Sequence, residues 1–370
     1  MKRYIIVGAG ILGATTAYKL AKAGAEVLIV DRPDTGQATD AAAGVICPWL
    51  SQRRNKAWYH LAKNGAKIYP DLVEELQKDG EEDTGYAKVG ALSLHQDEKK
   101  LTTMKDRALK RREDAPEIGE VKLLNSLETR ALFPMVDATY SSVHVAGAAR
   151  VDGRAFRNAL LRAAEKHGAA FIHGNATLSY TGKNVNGIFI NKKRYEADTV
   201  IATCGAWMAD FLRPLGIEFQ SSFQKGQILH LELPNVDSSN WPVLMPPTSQ
   251  SIVPFQHRII VGATHENDTG FDHRVTAGGI QDILSKALQV LPGLEQSAII
   301  EARVGFRPFT PGFLPVIGRL PEINGLLIAN GLGSSGLTTG PYLGTQLAKL
   351  ALGETVEINL ENYDVREAIK

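Results

Sequence analysis

From Tyr4 to Asp31 the hydrophobic period of the chain changes twice. Tyr4–Val7 is a short apolar run, β-branched after its tyrosine, the pattern of a strand buried on both faces. From Ala14 to Ala23 apolar and polar positions interchange with the spacing of an amphipathic helix, which Gly24 ends. Glu26–Val30 is again a short apolar run, a second buried strand, and Asp31 stands at its end.

Further along, the same reading yields a mixture of helices and short strands. Tyr59–Gly80 reads as one helix, or two meeting at Pro70. Gly85–His95 alternates as a strand, and the charge-rich Asp97–Asp114 reads as the solvated face of a helix. Arg150–Asn175 predicts an amphipathic helix with Asp152 as a candidate cap, then a strand. Thr199–Ala202 is another strand, running into a turn at Gly205. Between Phe219 and Val261 short alternating segments are separated by turn residues, as in an antiparallel sheet. Finally, Leu326–Ala329 predicts a strand, "NGLGSSG" a glycine-rich turn and Leu337–Leu352 a helix. The expected fold is α/β: a Rossmann-like domain with an inserted mixed, largely antiparallel β-sheet domain.

The first of these units carries chemistry. Gly8, Gly10 and Gly13 form GxGxxG between strand and helix, with Ile11 and Leu12 opening the helix. Gly8 suits a tight turn, Gly10 lets backbone approach a pyrophosphate, and Gly13 lets helix and strand pack closely. The helix N-terminus offers N–H groups and a positive dipole end to phosphates. Asp31, roughly 20 residues beyond the glycines, can accept hydrogen bonds from a ribose and disfavours a 2′-phosphate. Arg32 follows it. The fingerprint alone does not separate NAD from FAD. The small-residue run Thr39–Trp49, with Ala42, Ala43, Gly44 and Val45 at its centre, suits backbone lying along an extended cofactor; an Ala-rich helix start is the alternative. A doubly wound sheet would bring Thr177, Cys204, Gly205 and Trp207 to the same cofactor. Gly331, Gly333, Ser334, Ser335, Gly336, Leu337 and Thr338 form a third strand–turn–helix junction. Placed at a flavin, that helix start would stabilise negative charge on the reduced ring; simple packing is the alternative.

Composition narrows the classes. The 370 residues are 44% hydrophobic, enough for two domains, and 41 basic residues balance 40 acidic ones at a net charge of +1. That balance leaves no electrostatic footprint for nucleic acid. Two cysteines, Cys47 and Cys204, in no CxxC pattern, exclude a disulfide scaffold, a zinc ribbon and a multi-cysteine iron–sulfur cluster. No metal site is expected, and a reducing, cytoplasmic setting fits best. No apolar run approaches the roughly 20 residues of a membrane span. The basic-then-apolar start has the outline of a leader peptide, but its glycines and the charges that follow assign it to the fold.

Taken in order, "VGAGILGATTAYKLAKAGAEVLIVDR", "AAAG", "VDGRAFRNALLRAAEKHGA", "DTVIATCGAW", "KGQ", "IIVGAT", "GFRPFTPGFLPVIGRLP" and "NGLGSSGLTTGPYLG" resemble the FAD-dependent D-amino acid oxidase family, which includes glycine oxidase, sarcosine oxidase and D-amino acid dehydrogenase. The resemblance spans nearly the whole chain apart from about Lys63 to Asn125. It implies an FAD-binding domain from residues 1–85, 145–215 and 300–370, and a substrate domain from 86–144 and 216–299. It implies FAD as cofactor and a small carboxylate-bearing amine as substrate: a D-amino acid, glycine or a sarcosine-like amine. Hydride transfer to the flavin would give an imine and then a 2-oxo acid, with oxygen or another acceptor taking the electrons. By the same resemblance Arg307, within the "GFRPFTPG" element, clamps the substrate carboxylate. His265, after "VGAT", follows a strand expected to floor the substrate cavity. It could touch substrate or tune the protonation of the amine, or stand at the surface. His60 is a weaker candidate on the helix after "AAAG".

Three positions depart from relatives. Ser251 or Ile252 stands where many members carry a tyrosine, and Ser334 stands where glycine oxidase has a second arginine. Neither cysteine lies near Arg307, as a covalent flavin of the sarcosine oxidase type requires, so FAD is expected to be non-covalent. The turn without arginine leans toward the dehydrogenase relatives. Two other readings remain at this point: a flavin oxidoreductase for a 2-hydroxy acid, with His265 as base, and a non-catalytic flavin-binding subunit. Oligomeric state is not legible in the sequence.

Overall fold

The computed structural model describes residues 2–370. Its first element is the unit anticipated above: β1 (Arg3–Val7), α1 (Ile11–Lys22) and β2 (Glu26–Asp31). β1 pairs in parallel with β2 on one side and with Thr199–Ala202 on the other. Ala170–His173 and Leu326–Asn330 extend the sheet in parallel, and Val316–Arg319 closes one edge antiparallel, six strands in all. α1 packs against the helices Gly153–Lys166 and Gly336–Leu352. The second crossing is close because Gly344 has no side chain: a Cβ there would lie 2.8 Å from the Leu12 carbonyl oxygen. Asp152 caps the Gly153–Lys166 helix as expected, accepting from the Arg154 and Ala155 N–H groups at 3.0 Å each. A three-stranded meander (Ala176–Thr181, Asn184–Ile190, Lys193–Glu196) covers the opposite face, with Leu178 and Ile188 packed among Ile5 and Val200.

A nine-stranded sheet forms the second layer. It is antiparallel except where Val243–Met245 meets Ala91–His95 and where Gly36–Gln37 meets Ile299–Phe309. The long strand Ile299–Phe309 pairs with Ser222–Glu232 along nearly its whole length, so residues 300–309 belong to this sheet although the sequence division at 300 leaves them with the cofactor unit. Helix Ala277–Val290 covers one face through Ile283, Ala287 and Val290. The other face looks toward the Rossmann unit.

One open local expectation is settled and two change. Lys56–Lys78 is one helix despite Pro70, because its buried stripe (Trp58, Leu61, Tyr69, Leu72, Leu76) runs unbroken past the proline. Only Ala91–His95 of the Gly85–His95 stretch is a strand, since Gly85 (φ 63°) and Gly90 (φ 78°) adopt left-handed conformations foreign to strands. The helix Glu98–Arg112 is largely solvated, but Arg107 and Arg111 are not: they donate to the carbonyls of Leu50 (3.0 Å), Trp49 (2.7 Å) and Ser51 (2.8 Å). No helix among the described residues is long and apolar enough to cross a membrane.

Candidate active site

A cavity of about 460 Å³ lies between the carboxyl ends of the parallel strands and the facing large sheet. At one end it is walled by the turn after β1. Gly8 (φ 103°) is obligatory there, since a Cβ would stand 2.5 Å from the Thr203 carbonyl oxygen. Gly13 belongs to the packing of that turn and not to the cavity wall: its Cβ would lie 1.9 Å from the Gly8 oxygen. Gly10, Ile11 and Leu12 do line the cavity, and the Ile11 N–H is capped by the Thr39 hydroxyl at 3.0 Å. Asp31 accepts from the Ala9 and Arg32 N–H groups at 2.8 Å each, so the acid both stiffens the turn and faces the cavity. Burial raises its carboxyl above the usual value, against the pull of those two donors. The Arg32 guanidinium lies 5.0 Å from the centre of the Trp207 ring.

The small-residue run is an extended loop rather than a helix, with Ala42, Ala43, Gly44 and Val45 along the cavity. It is held from outside: Arg157 donates to the Asp40 carboxylate at 2.5 Å, and Arg303 to the Asp40 carbonyl at 3.0 Å. Thr177, Cys204, Gly205 and Trp207 line the same space, as do Gly331, Gly333, Ser334, Gly336, Leu337 and Thr338. Ser335 is the exception in that turn, since its hydroxyl accepts from the Trp58 indole N–H at 3.1 Å and does not reach the cavity. Asn330, which sequence reasoning passed over, ties two of these turns together through the Gly205 carbonyl at 2.8 Å.

Several bare α-carbons leave a cradle. A Cβ at Gly205 would meet nothing within 4 Å, at Gly336 only Leu332 Cβ at 3.8 Å, and at Gly10 only the Thr39 hydroxyl at 3.4 Å. Backbone so exposed on three sides of one cavity suits an extended dinucleotide pressed against it. Cys47 is buried, and burial pushes its thiol up to about 12. Cys204 donates from Sγ to the Val7 carbonyl at 3.5 Å, at the nucleotide end. No cluster of three or more metal-ligating side chains occurs among the described residues.

At the other end of the cavity stands Arg307. Its Nη1 donates to the Gln224 side-chain oxygen and to the Thr264 carbonyl, each at 3.0 Å. Nε and Nη2 have no partner among the described residues, and Arg307 forms no ion pair there. Burial pulls the guanidinium down to about 10, still charged at neutral pH. The group lies flat on Gly226, where a Cβ would come within 2.6 Å of Nη2. His265 also lines this end; its Nδ1 meets the same Gln224 oxygen at 2.8 Å, and burial, then the nearby Arg307 charge, lower its basicity. Ile252 is fully buried on the far face, so Ser251 is the residue of that pair facing the cavity. His60 lies outside the cavity wall, its ring against Tyr342 and Asn64. Gln224 and Gly226 were missed as individual residues; "KGQ" contains Gly226 and directly follows Gln224, and the cross-strand register places Gln224 opposite Arg307.

Comparison with known proteins agrees with this layout. A family model described as FAD dependent oxidoreductase (DAO) matches residues 3–350. The uncharacterised oxidoreductase YurR of Bacillus subtilis (strain 168) is 59% identical over 371 residues, covering 100% of both chains. The crystal structure of iminodiacetate oxidase (IdaA) from Chelativorans sp. BNC1 is 44% identical with a TM-score of 0.95, covering 98% of each chain. That of glycine oxidase from Geobacillus kaustophilus is 26% identical with a TM-score of 0.86, covering 99% of each.

Proposed function

The chain belongs to the FAD dependent oxidoreductase (DAO) family, and from that premise we propose that it oxidises the carbon–nitrogen bond of a small amine carrying a carboxylate. The observation that carries this reading is the unpaired edge of Arg307. A half-buried guanidinium with Nε and Nη2 free is a fork awaiting a planar anion, and a carboxylate matches it in a bidentate pair. Hydrogen bonds to charged groups contribute about 1.5–3 kcal/mol each, enough to fix both affinity and orientation.

Within that class, the substrate is a D-amino acid, glycine or an N-substituted glycine. The floor beside Arg307 is made of Gly226, Ser251, Gly262 and Ala263, which leaves room for a second arm on the nitrogen. The likeness to iminodiacetate oxidase supports the N-substituted member of the set. The oxidised substrate is an imine, which water hydrolyses to a 2-oxo acid and an amine.

FAD would be held without a covalent bond by the turn at Gly8–Leu12, by Asp31 toward the ribose, by the Ala42–Val45 loop, and by the Gly331–Thr338 turn. When bound, it supplies the two-electron acceptor for the reaction. The protein's part is positional. Arg307 aims the carboxylate and so the α-carbon; His265 takes the amine proton; the sheet shields the reacting bond from water. On this reading the six-stranded unit carries the cofactor and the nine-stranded sheet carries the substrate groups.

The test is a visible spectrum of the purified protein, titrated without oxygen with D-amino acids, glycine, sarcosine, iminodiacetate and a 2-hydroxy acid. Bleaching by a carboxylate-bearing amine is the expected result, and admission of air then distinguishes oxygen from another acceptor. A yellow protein bleached by none of the amines would sink the reading, as would reduction by the hydroxy acid alone.

A further inference from the structure

We infer that Gln224 is a positioning residue that sets both the aim of the Arg307 fork and the tautomer of His265. The inference rests on the reading of Arg307 as carboxylate clamp and adds a residue to it.

The argument is one of donors and acceptors. An arginine side chain only donates, so the Gln224 atom 3.0 Å from Arg307 Nη1 must be the amide oxygen. The amide nitrogen then points the other way, where it donates to the Asn267 side-chain oxygen at 2.9 Å. Both contacts demand the same orientation of the amide. That oxygen also lies 2.8 Å from His265 Nδ1, which must therefore carry a proton. In the neutral ring Nε2 is left with the lone pair.

Two consequences follow for the site. First, Gln224 and the Thr264 carbonyl together occupy Nη1, so the guanidinium cannot swivel, and its Nε and Nη2 remain for the anion. Gln224 is half-buried and opposes Arg307 directly across the antiparallel pair, so the amide reaches its partner without bending either strand. Second, the base of the site is defined to the atom. A proton leaves the substrate nitrogen, its bonding pair stays on that nitrogen, and a new N–H forms on His265 Nε2. The Ser249 carbonyl, 3.4 Å from Nε2, then gains a donor where it previously faced a lone pair.

The charges around His265 are consistent with a neutral resting ring. Arg307 faces it from the long strand, and Lys286 and Asp282 from helix Ala277–Val290, where those two pair with each other at 2.6 Å. The two cations disfavour imidazolium, Asp282 and the Ser249 carbonyl favour it, and burial outweighs each of them. Removing the Gln224 acceptor frees Nδ1 to exchange its proton with Nε2, and the ring loses its single tautomer.

The experiment uses oxidised, FAD-loaded protein and acetate as a non-reactive carboxylate, read through the visible spectrum of the flavin. Alongside it, nitrogen-15 NMR of the histidine rings reports the His265 tautomer, assigned with His265→Gln. In wild type the proton should reside on Nδ1 of His265 and acetate should perturb the spectrum. Gln224→Leu should weaken acetate binding about tenfold, raise KM more than it lowers kcat, and scramble the tautomer while FAD content stays unchanged. Gln224→Glu should draw the His265 proton affinity up, moving the acid limb of kcat/KM to higher pH. A Gln224→Leu protein with wild-type acetate affinity and an unchanged ring spectrum would overturn the inference. So would a wild-type His265 protonated on Nε2 alone, a result needing no variant. Wild type that neither responds to acetate nor is reduced by any amine would instead bring down the parent reading of Arg307, and this inference with it.

Discussion

Replacing Gly226 by alanine tests the clamp without touching any polar group. Gly226 sits mid-strand opposite Gly305, and its φ lies outside the left-handed region, so alanine meets no backbone strain there. A Gly→Ala change at a compatible position even favours the folded chain, by about 0.4–1 kcal/mol. The added methyl, however, would stand 2.6 Å from Arg307 Nη2, 2.7 Å from Cζ and 2.9 Å from Nη1. Carbon–carbon and carbon–nitrogen contacts settle near 3.5–4.0 Å, so the guanidinium must retreat by about 1 Å. That retreat stretches the 3.0 Å bonds to Gln224 and Thr264 and carries the fork away from its carboxylate. A misplacement of about 1 Å in a positioning group is worth roughly 100-fold in rate, or about 2.7 kcal/mol. The expected protein is yellow, folds as wild type, and has kcat/KM for a carboxylate-bearing amine lowered about 100-fold. For the same amine without its carboxylate the two proteins should be equal. Steady-state kinetics, with FAD content read from visible absorbance, measure all of this. A Gly226→Ala protein within threefold of wild type on both substrates would refute the assignment of Arg307 as the clamp.

Other consequences are reachable with simpler measurements. Gly13→Ala drives a Cβ to 1.9 Å from the Gly8 oxygen, so the nucleotide turn cannot form; the protein should purify colourless and take up no added FAD, whereas retention of FAD would contradict the packing account. His230 is 2% exposed, and burial, then the Arg303 and Arg258 charges, push its imidazole down to about 4. Because the unfolded chain binds that proton near pH 6.5, folded stability should fall as pH drops from about 6.5 to 4, by about 3 kcal/mol in full. His230→Leu should flatten that part of the curve of Tm against pH, and an unchanged slope would contradict the burial argument. Lys225 is fully buried beneath the strand, donating to Asp272 at 3.1 Å and to the Arg274 carbonyl at 2.8 Å. Lys225→Met should release the segment from Glu266 to Thr276 and raise its proteolysis about tenfold, a local opening of about 1.4 kcal/mol. Unchanged cleavage would mean that Gln227, which also bonds Glu266 and Thr276, holds the segment alone.

What was legible in the sequence was what the chain builds from neighbours. The β1–α1–β2 unit is contiguous, so its glycines, period and terminal acid all fall within one window and predict one another. The Asp152 cap and the glycine turn before Gly336 are local in the same sense. Arg307 could be singled out because glycines and prolines surround it, but its partners could not. Gln224 and Thr264 lie on other strands, and their meeting with Arg307 depends on a cross-strand register that no local pattern reveals. Ser335 shows the opposite limit. It sits inside the glycine-rich turn yet turns to Trp58, because a motif marks a segment and not the direction of each side chain, whereas the packing role expected of Gly13 is the one it has. Pro70 left one helix and two both open for a related reason: only the buried stripe that continues on both sides of it decides for one.

The other arginines of this region show what distinguishes Arg307. Arg150 donates to the carbonyls of Ser239 and Pro254, Arg258 to Asp152 and His230, and Arg303 to Glu301 and the Asp40 carbonyl. Arg258 and Arg303 each reach an acid through a second nitrogen, whereas Arg150 gives Nη1 alone to two carbonyls and keeps a buried Nε without a partner. Arg307 differs from all three in lining the cavity. It gives one nitrogen to two neutral acceptors and leaves two nitrogens open to the cavity, with no carboxylate of the protein in reach. Removing a charge from water without a counter-charge carries a penalty of several kcal/mol. Here burial does depress the proton affinity of the guanidinium, which is that penalty made visible. The charge of Glu266 offsets part of it but does not pair with the guanidinium, because its carboxylate is held by Gln227 at 2.8 Å and Thr264 at 2.5 Å on the other face of the strand. Unlike the comparably bonded Arg150, Arg307 opens on the cavity, as the proposed pairing with an anion from outside requires.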